Sequence, residues 1–318
     1  MKKFESINKA YNEIFQPQRL SIGIVSPIES YPHSSVPSMD DHVSRVQMVE
    51  SLGFKAVWVR DVPFHVPTFG DAGQMYDPFT YLGFLAAHTS KIALCTGSIA
   101  LPLHHPLHVA KSAHTIDQLS NGRLVLGVAS GDRPSEYPAM QFDFENRGEA
   151  FRNAFDYIRT SNRSFPVHSN DRYGVMNGSL DLLPKSFGSK IPMLITGHSR
   201  QTDQWIAENG DGWIYYPRNF YMQEHNIKQW RSLIPESHGF DKPFMQSLYI
   251  DLQDDPDFKP QHIHLGFRIG INYLIEYFKK IEELGVNHVC INLKLNSSPI
   301  EWTLKTLGEK VLPIIHND

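Results

Sequence analysis

Eight times along this chain a short β-prone run is followed by a stretch with helical periodicity. The strand patterns fall at Ser21–Ile28, Ala56–Val62, Ile92–Ile99, Leu124–Ser130, Met193–Gly197, Gly212–Tyr216, Phe244–Leu252 and His288–Leu293. The helical patterns after them are Asp40–Leu52, Pro78–Thr89, a stretch from Pro106, Asn146–Ser161, Ser199–Asn209, Tyr221–Leu233, Leu265–Leu284 and Pro299–Leu312. Strands joined in series through helices run parallel with right-handed crossovers. Eight such units predict one α/β domain over residues 1–318, a single (β/α)8 TIM barrel; a doubly wound open sheet is the alternative. Tyr173–Leu183 stands outside the count. Its Asn177-Gly178, set between β-prone residues, predicts a hairpin-like insertion between the fourth helix and the fifth strand.

Composition narrows the class. A hydrophobic share of 41% supports a full core, and a net charge of -4 shows no basic excess, which argues against a nucleic-acid partner. No apolar run approaches the ~18 residues of a membrane span. The first residues, MKKFESINKAYNEIF, carry charge without the apolar stretch of a signal peptide. Cys95 and Cys290 both lie in apolar strand patterns, so buried reduced thiols and a cytoplasmic location are expected.

In such a barrel the ligand-facing residues sit where strands end. The third strand breaks at Thr96-Gly97-Ser98, where a backbone can approach a flat ligand. The helix from Pro106 stops at Asn121-Gly122, and the fourth strand leaves at Ser130-Gly131-Asp132. The fifth strand ends in Gly197-His198-Ser199, with Arg200 adding a guanidinium. Ser199 reads either as a plain N-cap or as part of an anion site made by a helix start, closed from the other side by Ser130-Gly131. Arg60 and Asp61 end the second strand; they read as a structural ion pair or as a charged pair beside a cofactor. Adjacent strand residues face opposite ways, so both reach one site only if the strand has just ended.

His104, His105, His108 and His114 invite a metal, but no HExxH pattern or carboxylate partner accompanies them, and no metal is expected. His105, just before the helix start, is placed as a catalytic or cofactor contact. Trp58 and Trp213, within strand runs, read as core. The long loop Pro63–Asp77 carries Gly70 and Gly73, which suit either a moving lid or a static surface loop.

These residues resemble the luciferase-like flavin monooxygenase superfamily, which includes bacterial luciferase and alkanesulfonate monooxygenase. The resemblance runs from Leu20 to Leu312. It rests on TGSIALPLHHPLHVAKSAHTIDQLSNGRLVLGVASGD at Thr96–Asp132 and ITGHSRQTDQWIAENGDGW at Ile195–Trp213. VRDVPF and ASGDRPSEYPA are similar to a poorly characterised branch of luciferase-type oxidoreductases. The resemblance implies a (β/α)8 barrel binding reduced FMN, or in one branch a deazaflavin coenzyme, at the carboxyl ends of the strands. It implies a cis peptide at Gly97-Ser98 under the flavin ring, phosphate contacts at Ser199 and Arg200, and a second one at Ser130. Ser26 and Pro27, where the first strand ends, complete the cofactor-binding candidates together with Thr96, Gly131, Gly197 and His198.

The family's luciferases carry a catalytic histidine after the second strand, where Asp61 stands here, and a reactive cysteine where Ala129 stands. Light emission is therefore not implied. The expected activity is an FMN-dependent monooxygenase: a separate reductase supplies reduced flavin, dioxygen is consumed and a small organic substrate is oxygenated, with Asp61 transferring a proton and Arg60 compensating the anionic reduced flavin. A deazaflavin-dependent hydride transfer and a non-catalytic flavin-binding protein are the alternatives. A homodimer is expected.

Overall fold

The strand patterns become a closed ring. The computed structural model describes residues 3–69 and 75–316. We label the barrel strands β1 (Ser21–Val25), β2 (Ala56–Val59), β3 (Ala93–Ala100), β4 (Leu124–Ala129), β5 (Met193–Thr196), β6 (Gly212–Tyr215), β7 (Phe244–Leu252) and β8 (His288–Asn292). Neighbours in this series pair in parallel, and β8 also pairs with β1, so the sheet closes and the open-sheet alternative is excluded. The crossover helices are α1 (His42–Ser51), α2 (Pro78–His88), α3 (Pro106–Leu119), α4 (Arg147–Ser161), α5 (Asp203–Asn209), α6 (Phe220–Ser232), α7 (Ile271–Glu283) and α8 (Ile300–Thr306).

Alternation along the strands sorts the core into two layers. Val25, Ala56, Trp58, Ala93, Cys95, Val125, Leu194, Ile214, Met245 and Cys290 gather inside the barrel. Ile22, Ile24, Val57, Val59, Leu94, Leu126, Ile195 and Ile291 face outward among helix residues. Both cysteines are buried and unpaired with each other. Among the described residues no helix is long and apolar enough to cross a membrane.

A short helix, Lys9–Ile14, stops the end of the barrel where strands begin. Tyr11 donates to the Asp211 carbonyl at 2.6 Å, Asn8 to the Leu124 carbonyl at 2.7 Å, and Ser21 Oγ to the Ile14 carbonyl at 2.7 Å. Its six residues are too few to show periodicity in the sequence.

Three expectations are corrected. The insertion is a hairpin, but it pairs Val167–Asn170 with Gly174–Asn177, so Asn177 ends the second strand and Asn177-Gly178 does not form the turn. The Asn170 side chain makes the turn, accepting from the backbone of Arg172 at 3.0 Å and Tyr173 at 3.2 Å. Leu265–Leu284 is not one helix. Gly266–Ile269 is a strand paired in parallel with the far half of β7 and antiparallel with Gln261–Ile263, and α7 begins only at Ile271. Nor does α5 start at Ser199. It starts at Asp203, with Thr202 as the N-cap accepting from Trp205 N. Gly70 and Gly73, read as hinges, lie outside the described residues.

Candidate functional site

Two adjoining cavities open at the carboxyl end of the barrel. The larger, about 800 Å³, is lined by Val25, Trp58, Gly97, Ile214, Tyr215 and Cys290, among others. The smaller, about 260 Å³, is more polar and lies between the exits of β4 and β5, against Ser130, Gly131, Gly197, His198 and Ser199. Arg60, Gly97, Ser98, Asp132, Arg133, Thr196 and Tyr216 line both, so the two are parts of one cleft.

The chain turns sharply at its polar end. Gly131, Gly197, Ser199 and Arg200 all have positive φ, of 77°, 55°, 47° and 61°. Ser199 Oγ donates to the Thr196 carbonyl at 2.8 Å and accepts from Ser130 N at 3.3 Å, tying the two strand exits together. Tyr137 braces the same turn through a hydrogen bond from its hydroxyl to the Ser130 carbonyl. The Gly97-Ser98 peptide bond is cis, and Ser98 Oγ is hydrogen-bonded to Thr196 Oγ1.

The charged pair behaves as strand-end residues. β2 stops at Val59, so Arg60 and Asp61 both reach the cleft. Asp61 Oδ2 accepts from Ala100 N at 3.0 Å and lies 2.7 Å from His104 Nε2. Burial pulls the His104 imidazole down, but the hydrogen bond and charge of Asp61, with Asp77 beyond, hold it above its ordinary pKa. Arg133 pairs with Glu136 at 3.2 Å. Burial raises the Glu136 carboxyl, Arg133 opposes that, and Asp61 and Asp132 push it further up.

Other expected residues lie elsewhere. Thr96 is buried beneath the cleft, its Oγ1 donating to the Gly127 carbonyl at 2.8 Å. Ser26, followed by a cis bond to Pro27, turns toward the Tyr81 hydroxyl on α2. His105 is exposed on the outside of the barrel, where Nδ1 accepts from Leu107 N at 3.3 Å and the ring meets Tyr173. The Arg200 side chain is 53% exposed and points to Glu145, 3.9 Å away. His198 stays on the small cavity, 3.2 Å from Asp203. Trp213 is core, as expected, whereas buried Trp58 also walls the cavity.

Two residues that the strand-end rule does not reach belong near the site. His104 follows a 3-10 turn, and Arg147 opens α4. Arg147 lies over the Phe144 ring, 3.5 Å from its centroid, and its buried Nε has no hydrogen-bond partner. Arg147 Nη1 donates to the Phe144 carbonyl at 2.6 Å, and the Phe144 ring packs edge-on against Tyr137, which holds the Ser130 turn. An orphaned cationic donor there fits an anionic group, and the adjoining large cavity fits a flat ring system. Among the described residues, no group of three or more His, Cys, Asp or Glu is placed to hold a metal ion.

Residues 20–257 match the family model described as Luciferase-like monooxygenase. An uncharacterised protein of Mycobacterium tuberculosis (strain H37Rv) is 30% identical over 197 residues, covering 56% of this chain and 68% of that one. The monooxygenase RslO1 from Streptomyces bottropensis superposes with a TM-score of 0.72 at 18% identity, over 94% of this chain and 100% of that chain. An F420-dependent secondary alcohol dehydrogenase, solved with an F420-acetone adduct, superposes with a TM-score of 0.75 at 17% identity, over 93% and 99%. At these identities the two structures share the fold.

Proposed function

The chain belongs to the luciferase-like monooxygenase family, and on that premise we propose that it is an FMN-dependent oxidoreductase of the monooxygenase type. The observation that carries this reading is the two-part cleft: a roomy cavity for a ring, joined to a small polar one at the exits of β4 and β5. Bound reduced flavin would supply two electrons to dioxygen and so an oxygen atom to a small organic substrate. Gly97, Ser98 and Trp58 would hold the ring, and Ser130, Ser199 and Arg147 the phosphate. Tyr215 and Tyr216 would keep water out. Asp61 would hold and move a proton at the rim, and Arg60 would balance the charge of the reduced ring. A separate reductase would supply the reduced flavin.

A carboxylate at the end of β2 also favours a second reading, hydride transfer with the deazaflavin coenzyme F420. Titration with FMN, riboflavin and F420, followed by quenching of tryptophan fluorescence, separates the two. FMN is expected to bind at least about tenfold tighter than riboflavin, which lacks the charge-assisted phosphate bonds. Tight F420 binding with none of FMN would favour the second reading. Quenching by neither would remove the flavin site altogether.

A further inference from the structure

Asp61 lines the inner cleft, and its hydrogen-bonded partner His104 does not. His104 lines a separate groove of about 580 Å³ on the outside of the barrel, between α2 and α3, with Asp77, Thr80, His105, His108 and Lys111. Their 2.7 Å contact therefore crosses the barrel wall. The crossing point is fixed from both sides: Ala100 N holds the same Asp61 oxygen, and His104 N is tied to the Leu101 carbonyl at 3.1 Å. The Asp61 side chain is 3% exposed and that of His104 24%, so the pair runs from the shielded wall of the cleft to the more solvated outer groove.

We infer that Asp61 and His104 form a two-residue proton relay between the cleft and the outer groove, with His104 a positioning and supply residue acting through Asp61. This rests on the proton-transfer role proposed for Asp61. The step moves no electrons. The proton on Nε2 of the imidazolium passes to the Asp61 carboxylate, leaving a neutral ring. The carboxyl group gives a proton to the reacting group and is a carboxylate again. The neutral ring, which keeps its hydrogen on Nδ1, then regains the Nε2 proton from a hydronium ion or buffer acid that reaches it through the groove.

Charged neighbours surround both ends. Asp77 at the start of α2, with Lys111, His105 and His108 from α3, lies around the groove. Arg60, Asp132, Arg133 and Glu136 lie around the cleft. Any pH profile will carry their influence too, so comparison of variants is needed rather than one curve.

Oxidation of bound reduced FMN by dioxygen provides the assay. It consumes one proton: anionic reduced FMN, O2 and H⁺ give FMN and H2O2. The probes are reduced FMN and dioxygen in stopped flow from pH 5.5 to 9, with the parent, Asp61→Asn, His104→Ala and His104→Gln; Gln keeps a hydrogen bond but shuttles no proton. Both His104 variants and Asp61→Asn are expected to slow reoxidation at least about tenfold at saturating FMN, with FMN affinity unchanged in the two His104 variants. Added imidazole is expected to restore His104→Ala alone. Independently of flavin, the NMR titration of His104 is expected to move down in Asp61→Asn, because the hydrogen bond and charge of Asp61 are what hold it up. Parent-like rates in both His104 variants, with Asp61→Asn slow, would overturn the relay and leave the Asp61 role standing. Parent-like rates in all three would remove that role as well. Slow His104 variants that imidazole does not restore would make His104 structural and end the relay.

Discussion

At the scale of single residues, the polar end of the cleft is where sequence and structure part most instructively. Gly97, Ser98, Ser130 and Ser199 were legible, because a barrel strand delivers its last residues to the cleft whatever its neighbours do. Arg200 follows Ser199 directly, and the family resemblance implies a phosphate contact at both. A positive φ at both positions swings the Arg200 side chain out toward Glu145. Arg147 lies 52 residues earlier than Ser199, on a different helix, and nothing local marks it. Its buried Nε is the donor left without a partner. Arg147→Gln should therefore lower FMN affinity roughly tenfold to a hundredfold, the ~1.5–3 kcal/mol of a hydrogen bond to a charged group. Riboflavin affinity should not change, and Arg200→Ala should stay within about twofold of the parent. Calorimetric titration with both ligands checks this; equal losses for FMN and riboflavin in Arg147→Gln would mean that the residue shapes the site without meeting the phosphate.

At the scale of elements, the eight repeats were readable because each barrel strand is buried on both faces and each long helix on one. What escaped were the short additions, Lys9–Ile14, Gln261–Ile263 and Gly266–Ile269. The two strands are only partly buried, so they lack the apolar run of a barrel strand, and all three pieces are held by tertiary contact rather than by their own pattern. Gly266 shows the dependence most directly: a Cβ there would lie 1.8 Å from the Tyr249 carbonyl oxygen of β7. His264 and Leu265, in the bend just before it, line the large cavity, so this added hairpin is part of the site's wall. Gly266→Ala should push the strand off β7 and cost about 1–3 kcal/mol, as other overpacked substitutions do. Hydrogen exchange should rise over residues 261–269 while β1–β5 keep their protection. A variant as stable as the parent, with unchanged exchange in that stretch, would show that the pairing is not as close as described.

At the scale of the whole molecule, one buried histidine links the closed end of the barrel to the cleft. His288, at the start of β8, is fully buried. Trp58 Nε1 donates to its Nε2 at 2.9 Å, and Ser21 Oγ lies 2.6 Å from its Nδ1. Nε2 must therefore accept, Nδ1 carries the hydrogen, and the ring is neutral. Gly23 leaves room for it, since a Cβ there would come within 2.8 Å of Nε2. Protonating Nε2 would set two N–H groups against each other and place an unpaired charge in the core. Accordingly burial, with a contribution from His316, lowers the His288 pKa from 6.5 to about 3. The unfolded chain takes up this proton below about pH 6.5 and the folded protein only near 3. Stability from this group is thus full above pH 6.5 and is lost as pH falls through that window, at up to ~1.4 kcal/mol per unit. His114 on α3, lowered to about 4 mainly by burial and also by Lys185, adds to the same slope. Because the Trp58 ring also walls the cavity, acid should loosen flavin binding as it weakens the fold. His288→Gln should be less stable than the parent at pH 8, yet its stability should fall less steeply toward pH 4, by as much as one proton's worth of slope. Urea unfolding at pH 4, 5, 6, 7 and 8 measures both slopes; parallel curves for variant and parent would show that acid acts on this barrel through some other group.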